Sequence, residues 1–85
     1  MTRDEIKEKA ILIIRASVPD LDGVEINEDS NINTDASVDS MSFIYLMTQI
    51  EAAFDIQIPQ KKWSKLSTFS ALLDEISLRL AKKKS

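Results

Sequence analysis

Cysteine and histidine are both absent from this chain. Their absence removes disulfide staples, thiolate nucleophiles and imidazole bases, and leaves no ligand set for a structural zinc. A single glycine and two prolines in 85 residues argue against a many-turned β fold and for long helices. No apolar run is long enough to span a bilayer: the longest, Ala10 to Ile14, has five residues where about twenty are needed. Met1 to Glu8 is too charged for a secretory signal, so the expected address is cytoplasmic. Enzymatic work by the unmodified chain is not expected, because so small a domain rarely encloses a water-excluding cleft. If reactive chemistry passes through this protein, another group carries the reactive atom.

What remains must fold on hydrophobic packing alone, and 44% apolar residues suffice for one modest core. The chain reads as a single domain over 1–85, with 82–85 as a frayed tail. Charge is unevenly spread. Residues 1–60 carry twelve acids and four bases, a balance of −8, while residues 61–85 carry two acids and seven bases, a balance of +5. The acidic body disfavours nucleic acid, and the Lys82-Lys83-Lys84 run reads as a solvated end rather than an RNA or membrane contact. A monomer without membrane insertion is expected.

Thr2-Arg3-Asp4-Glu5 has the spacing of a capping box. Ile6, Ala10, Ile13 and Ser17 then follow a helical stripe that Leu12 and Ile14 widen. The β-branched cluster Ile11 to Ile14 also fits a buried strand, but the cap and the lysines favour a helix that stops before Pro19. Residues 19–38 form a long acidic connection, with Val24, Ile26 and Ile32 expected to pin it to the core. Its acids invite a calcium reading. Counted from Asp20, however, Gly23 is fourth and Asn31 twelfth, where an EF-hand needs glycine sixth and a bidentate acid twelfth. No metal site is expected.

Asp39 is suited to N-cap the next helix, placed at 40–54, with Ser40 in its first turn. Phe43, Met47, Ile50 and Phe54 form its apolar stripe, flanked by Ile44 and Leu46. Met41, Tyr45, Thr48 and Ala52 form a second stripe about 200° away, which should face water yet holds no charge. Asp55 to Pro59 reads as a short extended link burying Ile56 and Ile58. Gln60 to Leu66 reads as a short helix with Trp63 or Leu66 docked inward. A last helix follows Ser67-Thr68 and runs to about Lys82 on the stripe Phe69, Leu72, Leu73, Ile76 and Leu80. The fold class is all-α: a small bundle of three main helices plus one short one.

Val38-Asp39-Ser40-Met41, followed by a helix ending Phe54-Asp55-Ile56-Gln57-Ile58-Pro59, resembles the acyl carrier protein family. There an Asp-Ser-Leu or Asp-Ser-Met triplet opens the second helix, and F-D-I-x-I-P closes it. The likeness extends over nearly the whole chain. It implies that Ser40 accepts 4'-phosphopantetheine from coenzyme A through a phosphopantetheinyl transferase, and that the arm's thiol holds acyl or aminoacyl groups as thioesters. It also implies a second role for Asp39, contact with the transferase. Enzymes that load and unload the arm would dock on Met41, Tyr45, Thr48 and Ala52, with Glu51 beside them as the nearby acid.

The sequence departs from the family pattern at three places. Ser37 stands where many members have glycine, and no Gly-Gly precedes the motif as in peptide synthetases, which favours a free-standing carrier. Tyr45 and Ala52 stand where fatty-acid carriers tend to have acids, which points to a specialised lipid, polyketide or fatty-acid-related pathway. Asp-Ser-Met with a later tryptophan is also similar to D-alanyl carriers, an aminoacyl alternative. A helical interaction module that keeps the fold without carrying anything is the other alternative.

Overall fold

A computed structural model describes residues 2–33 and 40–84. Three α-helices organise them: α1 (Arg3–Ser17), α2 (Met41–Phe54) and α3 (Phe69–Lys84). A 3-10 turn, Pro19–Leu21, and a short 3-10 helix, Gln60–Lys65, punctuate the connections. No strand occurs among the described residues; a lone bridge joins Asn31 to Thr68. The expected all-α bundle of three main helices and a short one is what the structure shows.

The capping box of α1 forms as its spacing predicts. Thr2 Oγ1 accepts from Glu5 N–H at 3.2 Å, and the Thr2 N–H donates to the Glu5 carboxylate at 2.9 Å. These bonds hold the Glu5 carboxyl below its ordinary range. The helix buries Ile6, Ala10, Ile14 and Ser17, and it packs against both α2 and α3. Leu12, expected to widen that face, is instead 69% exposed, and Ile13 is half-buried. At 100° per residue Leu12 lies about 200° from Ile14, on the solvent side.

The acidic connection is pinned by Ile26 and Ile32, both buried. Val24, expected beside them, is 47% exposed. Gly23 turns the chain there at φ 81°, in the left-handed region that favours glycine. Backbone pairing then ties this segment to α3. Ile32 N–H donates to Ser67 O, Phe69 N–H to Ser30 O and Ser70 N–H to Glu28 O, each at 2.9 Å. The last two, with Thr68 Oγ1 accepting from Ala71 N–H, satisfy donors that the start of α3 leaves without intrahelical partners.

Arg3 closes the same end, donating to Glu28 on the connection and to Asp74 on α3. The Arg3 hydrogen bond is the main reason that the Glu28 carboxyl sits below its ordinary value. A depressed carboxyl pKa contributes stability that is fully present above the unfolded value and is lost as pH falls through the folded one. The gap in melting temperature between the wild type and Glu28→Gln should therefore hold steady from neutral pH to about 5, then close below about 4.5. A gap that widens on acidification would contradict the pairing.

At the other end, the residues expected to fray continue α3 as far as Lys84. Lys83 reaches back to donate to the carbonyl and the carboxylate of Asp55, and this holds the Asp55 carboxyl down. Asp55 caps α2 in the left-handed conformation, φ 55°, which aspartate tolerates better than most residues. Lys9 donates to Ala53 O at 2.9 Å, so two lysines cover the negative end of α2.

Candidate functional site

The first turn of α2 is built around Ser40. Its φ of −65° and ψ of 142° are non-helical, and its Oγ accepts from Phe43 N–H at 3.2 Å. Ser40 itself is therefore the N-cap. The cap expected at Asp39 lies one residue too early, because the Ser40 carbonyl already accepts from Ile44 N–H at 2.9 Å. Asp39 lies outside the described residues. Two adjacent side chains that both cap well left this one-residue choice open in the sequence.

Beneath Ser40 the support is closely packed. Phe43 is buried at 1% exposure, and its ring meets Trp63 edge-on with centroids 6.0 Å apart. The Trp63 indole N–H donates to Ile58 O at 3.1 Å, which gives the one polar atom of that buried ring a partner. Both Trp63 and Leu66 dock inward, where the sequence required only one. The extended link Asp55 to Pro59, which buries Ile56 and Ile58 as expected, thus places the 3-10 helix against the first turn of α2.

The charge-free face predicted on α2 is exposed. Met41 is 81% and Tyr45 52% exposed, and Thr48 and Ala52 are exposed along the same line. Thr48 Oγ1 is turned back to donate to Ile44 O. Glu51 has a structural duty that its sequence position did not reveal. Its carboxylate accepts from Ile58 N–H at 2.8 Å, while its carbonyl accepts from Ile56 N–H. It is half-buried and fastens the 55–58 link to α2. Next to Tyr45, Leu12 and Ala16 of α1 line a shallow groove of about 220 Å³, a neighbour that an inward Leu12 had concealed.

The family profile for the phosphopantetheine attachment site matches residues 9–76. The chain belongs to the acyl carrier protein family. The acyl carrier protein of Chlorobium phaeobacteroides is 34% identical over 76 residues, which cover 89% of this chain and 96% of that protein. That of Guillardia theta is 32% identical over 81 residues, covering 95% and 99%. The mitochondrial acyl carrier protein of Saccharomyces cerevisiae is 28% identical over 80 residues, which take in 91% of this chain but 64% of that protein. Such proteins are carriers rather than enzymes, and membership implies a 4'-phosphopantetheine prosthetic group and enzymes that attach and serve it. No helix among the described residues is long and apolar enough to cross a membrane.

The residues present fit that group. Ser40 offers a partly accessible primary hydroxyl at the positive end of a 14-residue helix. The first turn of α1 holds Asp4 and Glu5, whereas the first turn of α2 holds no acid. A phosphodiester on Ser40 would put negative charge where the helix start has N–H groups without intrahelical partners.

Proposed function

We propose that Ser40 is the attachment point of 4'-phosphopantetheine, delivered from coenzyme A by a phosphopantetheinyl transferase, and that the chain serves as a carrier of acyl or aminoacyl groups. When bound, the group supplies a thiol that holds its cargo as a thioester. The observation that carries this reading is the Ser40 hydroxyl at the N-cap of an acid-free helix start. The chain's own part is to present that oxygen at a fixed place, held by the Phe43 N–H and the Phe43–Trp63 contact below it. Incubation with coenzyme A and a broad-specificity transferase should add one phosphopantetheine, seen by intact mass. An unmodified protein after complete conversion of a control carrier would contradict the proposal.

The exposed, uncharged face of α2 supports docking of loading and unloading enzymes through Met41, Tyr45, Thr48 and Ala52. Such contacts favour a specialised acyl pathway over one served through acidic residues at these positions. Tyr45 is the expected anchor, since large aromatic side chains dominate interface hot spots. Tyr45→Ala should weaken transfer to the cognate enzyme by about 1 kcal/mol or more, while unfolding shifts by less than about 0.5 kcal/mol, as at other exposed sites. Equal losses in both measurements would place Tyr45 in the bundle's packing instead. Glu51→Gln should act mainly on stability, because its carboxylate is engaged by the Ile58 N–H.

A further inference from the structure

The acids and bases of this chain are segregated in a way that the carrier role does not explain. Between Asp55 and Asp74 there is no acidic residue, and Lys61, Lys62 and Lys65 all fall in that interval. All three lie on the 3-10 helix Gln60–Lys65, with Lys61 and Lys65 exposed and Lys62 half-buried. The ion pairs among the described residues engage Arg3, Lys7, Arg79 and Lys83 but none of these three lysines. Asp35 and Asp39, outside the described residues, number two against three cations.

This cationic edge stands beside Ser40. Trp63 sits among the lysines and touches Phe43, whose N–H is held by the Ser40 hydroxyl. With a rise of about 2 Å per residue, the backbones of Lys61 and Lys65 lie within about 4 Å of Trp63 along the helix axis. A groove runs from the uncharged face to the segment that leads into the 3-10 helix: Thr48, Glu51 and Ala52 of α2 line it with Ile58 and Pro59, and Arg79, paired with Glu75, closes its far side. Whatever approaches Ser40 along α2 meets the uncharged face, and the lysine-bearing 3-10 helix is packed under the same first turn through Trp63.

We propose that this composite surface docks an acidic, partly apolar protein surface. A local acidic patch is the occupant that fits, because complementary charge is needed only at the edge, and such complementarity sets specificity and association rate. RNA and anionic membranes fit worse. Each presents an extended negative charge to a body whose first sixty residues carry a balance of −8. The docking role rests on Ser40 as the point to which partners come, but the surface itself needs no prosthetic group.

The test uses the isotopically labelled chain of residues 1–85 without the arm. It is titrated by NMR with a helical peptide built from glutamate and leucine, and with the matching lysine–leucine peptide. The glutamate peptide should perturb residues 61–65 together with Met41, Ile44 and Thr48. The combined Lys61→Glu, Lys62→Glu and Lys65→Glu variant should bind it at least about tenfold more weakly. The milder triple glutamine variant should fall between. Raising salt from about 0.01 M to about 0.1 M, which shortens screening from about 30 Å to about 10 Å, should weaken the wild type more than the reversed variant. Perturbation confined to the C-terminal lysines, or equal binding of the lysine peptide, would overturn the proposal. Tighter engagement of the edge by oligouridylate or by phosphatidylglycerol vesicles would overturn it as well. Because the arm is absent throughout this test, failure of Ser40 to accept it and failure of this surface are separately visible.

Discussion

Phe43→Ala is expected to destabilise the domain by about 3–5 kcal/mol, the range for deleting a fully buried phenylalanine. The ring is 1% exposed and meets Trp63 edge-on, so truncation removes both the transfer term and a directed aromatic contact. A domain of this length has roughly 4–13 kcal/mol in total, at about 0.05–0.15 kcal/mol per residue. One substitution therefore takes a large share of it, and at the low end of that range the chain would be largely unfolded. Urea unfolding followed by far-ultraviolet circular dichroism should show a much lower midpoint with an unchanged slope. The backbone N–H that fixes the Ser40 hydroxyl survives the substitution, so function should fall only as far as the first turn of α2 loosens with the core. A loss below about 1 kcal/mol would mean that the Phe43–Trp63 contact does not support the first turn of α2.

The second large effect is complete loss of modification when Ser40 is replaced, with a stability change that depends on the replacement. Ser40→Ala removes the oxygen that accepts from Phe43 N–H at 3.2 Å, and the loss of such a cap costs about 0.5–2 kcal/mol. Ser40→Asp keeps a capping oxygen and adds negative charge at the positive end of a helix whose first turn holds no acid. Its stability should stay within about 0.5 kcal/mol of the wild type or exceed it. Both variants should remain unmodified after exhaustive incubation with coenzyme A and the transferase. A stable Ser40→Asp that takes no arm separates the loss of the acceptor from the loss of the fold. Arm attachment to Ser42 or Ser37 in either variant would contradict the assignment.

The parts of this structure governed by short-range rules were legible in the sequence. Thr2 and Glu5 are three residues apart, so their reciprocal bonds need no tertiary partner. Phe43, Met47, Ile50 and Phe54 share a face by helical period alone, and all four are buried. Leu12 was misplaced because the cluster Ile11 to Ile14 offers apolar residues on every side of the helix, and only contact with α2 and α3 selects the face of Ala10 and Ile14. The docking of the acidic connection was hidden for a different reason. It runs through the carbonyls of Glu28 and Ser30, and every residue has a carbonyl. Glu51 likewise read as a surface acid, since its role depends on where the chain returns after Asp55. At the candidate site the Asp39-Ser40 pair marked the helix start, but two competent oxygens in succession left the cap one residue uncertain.

The most direct measurement is fragmentation mass spectrometry of the wild-type chain after incubation with coenzyme A and a phosphopantetheinyl transferase. A single phosphopantetheine, carried entirely by the Ser40 side chain, is the expected result. The same group on Ser37 or Ser42, or no group on a chain whose circular dichroism shows it folded, would contradict it.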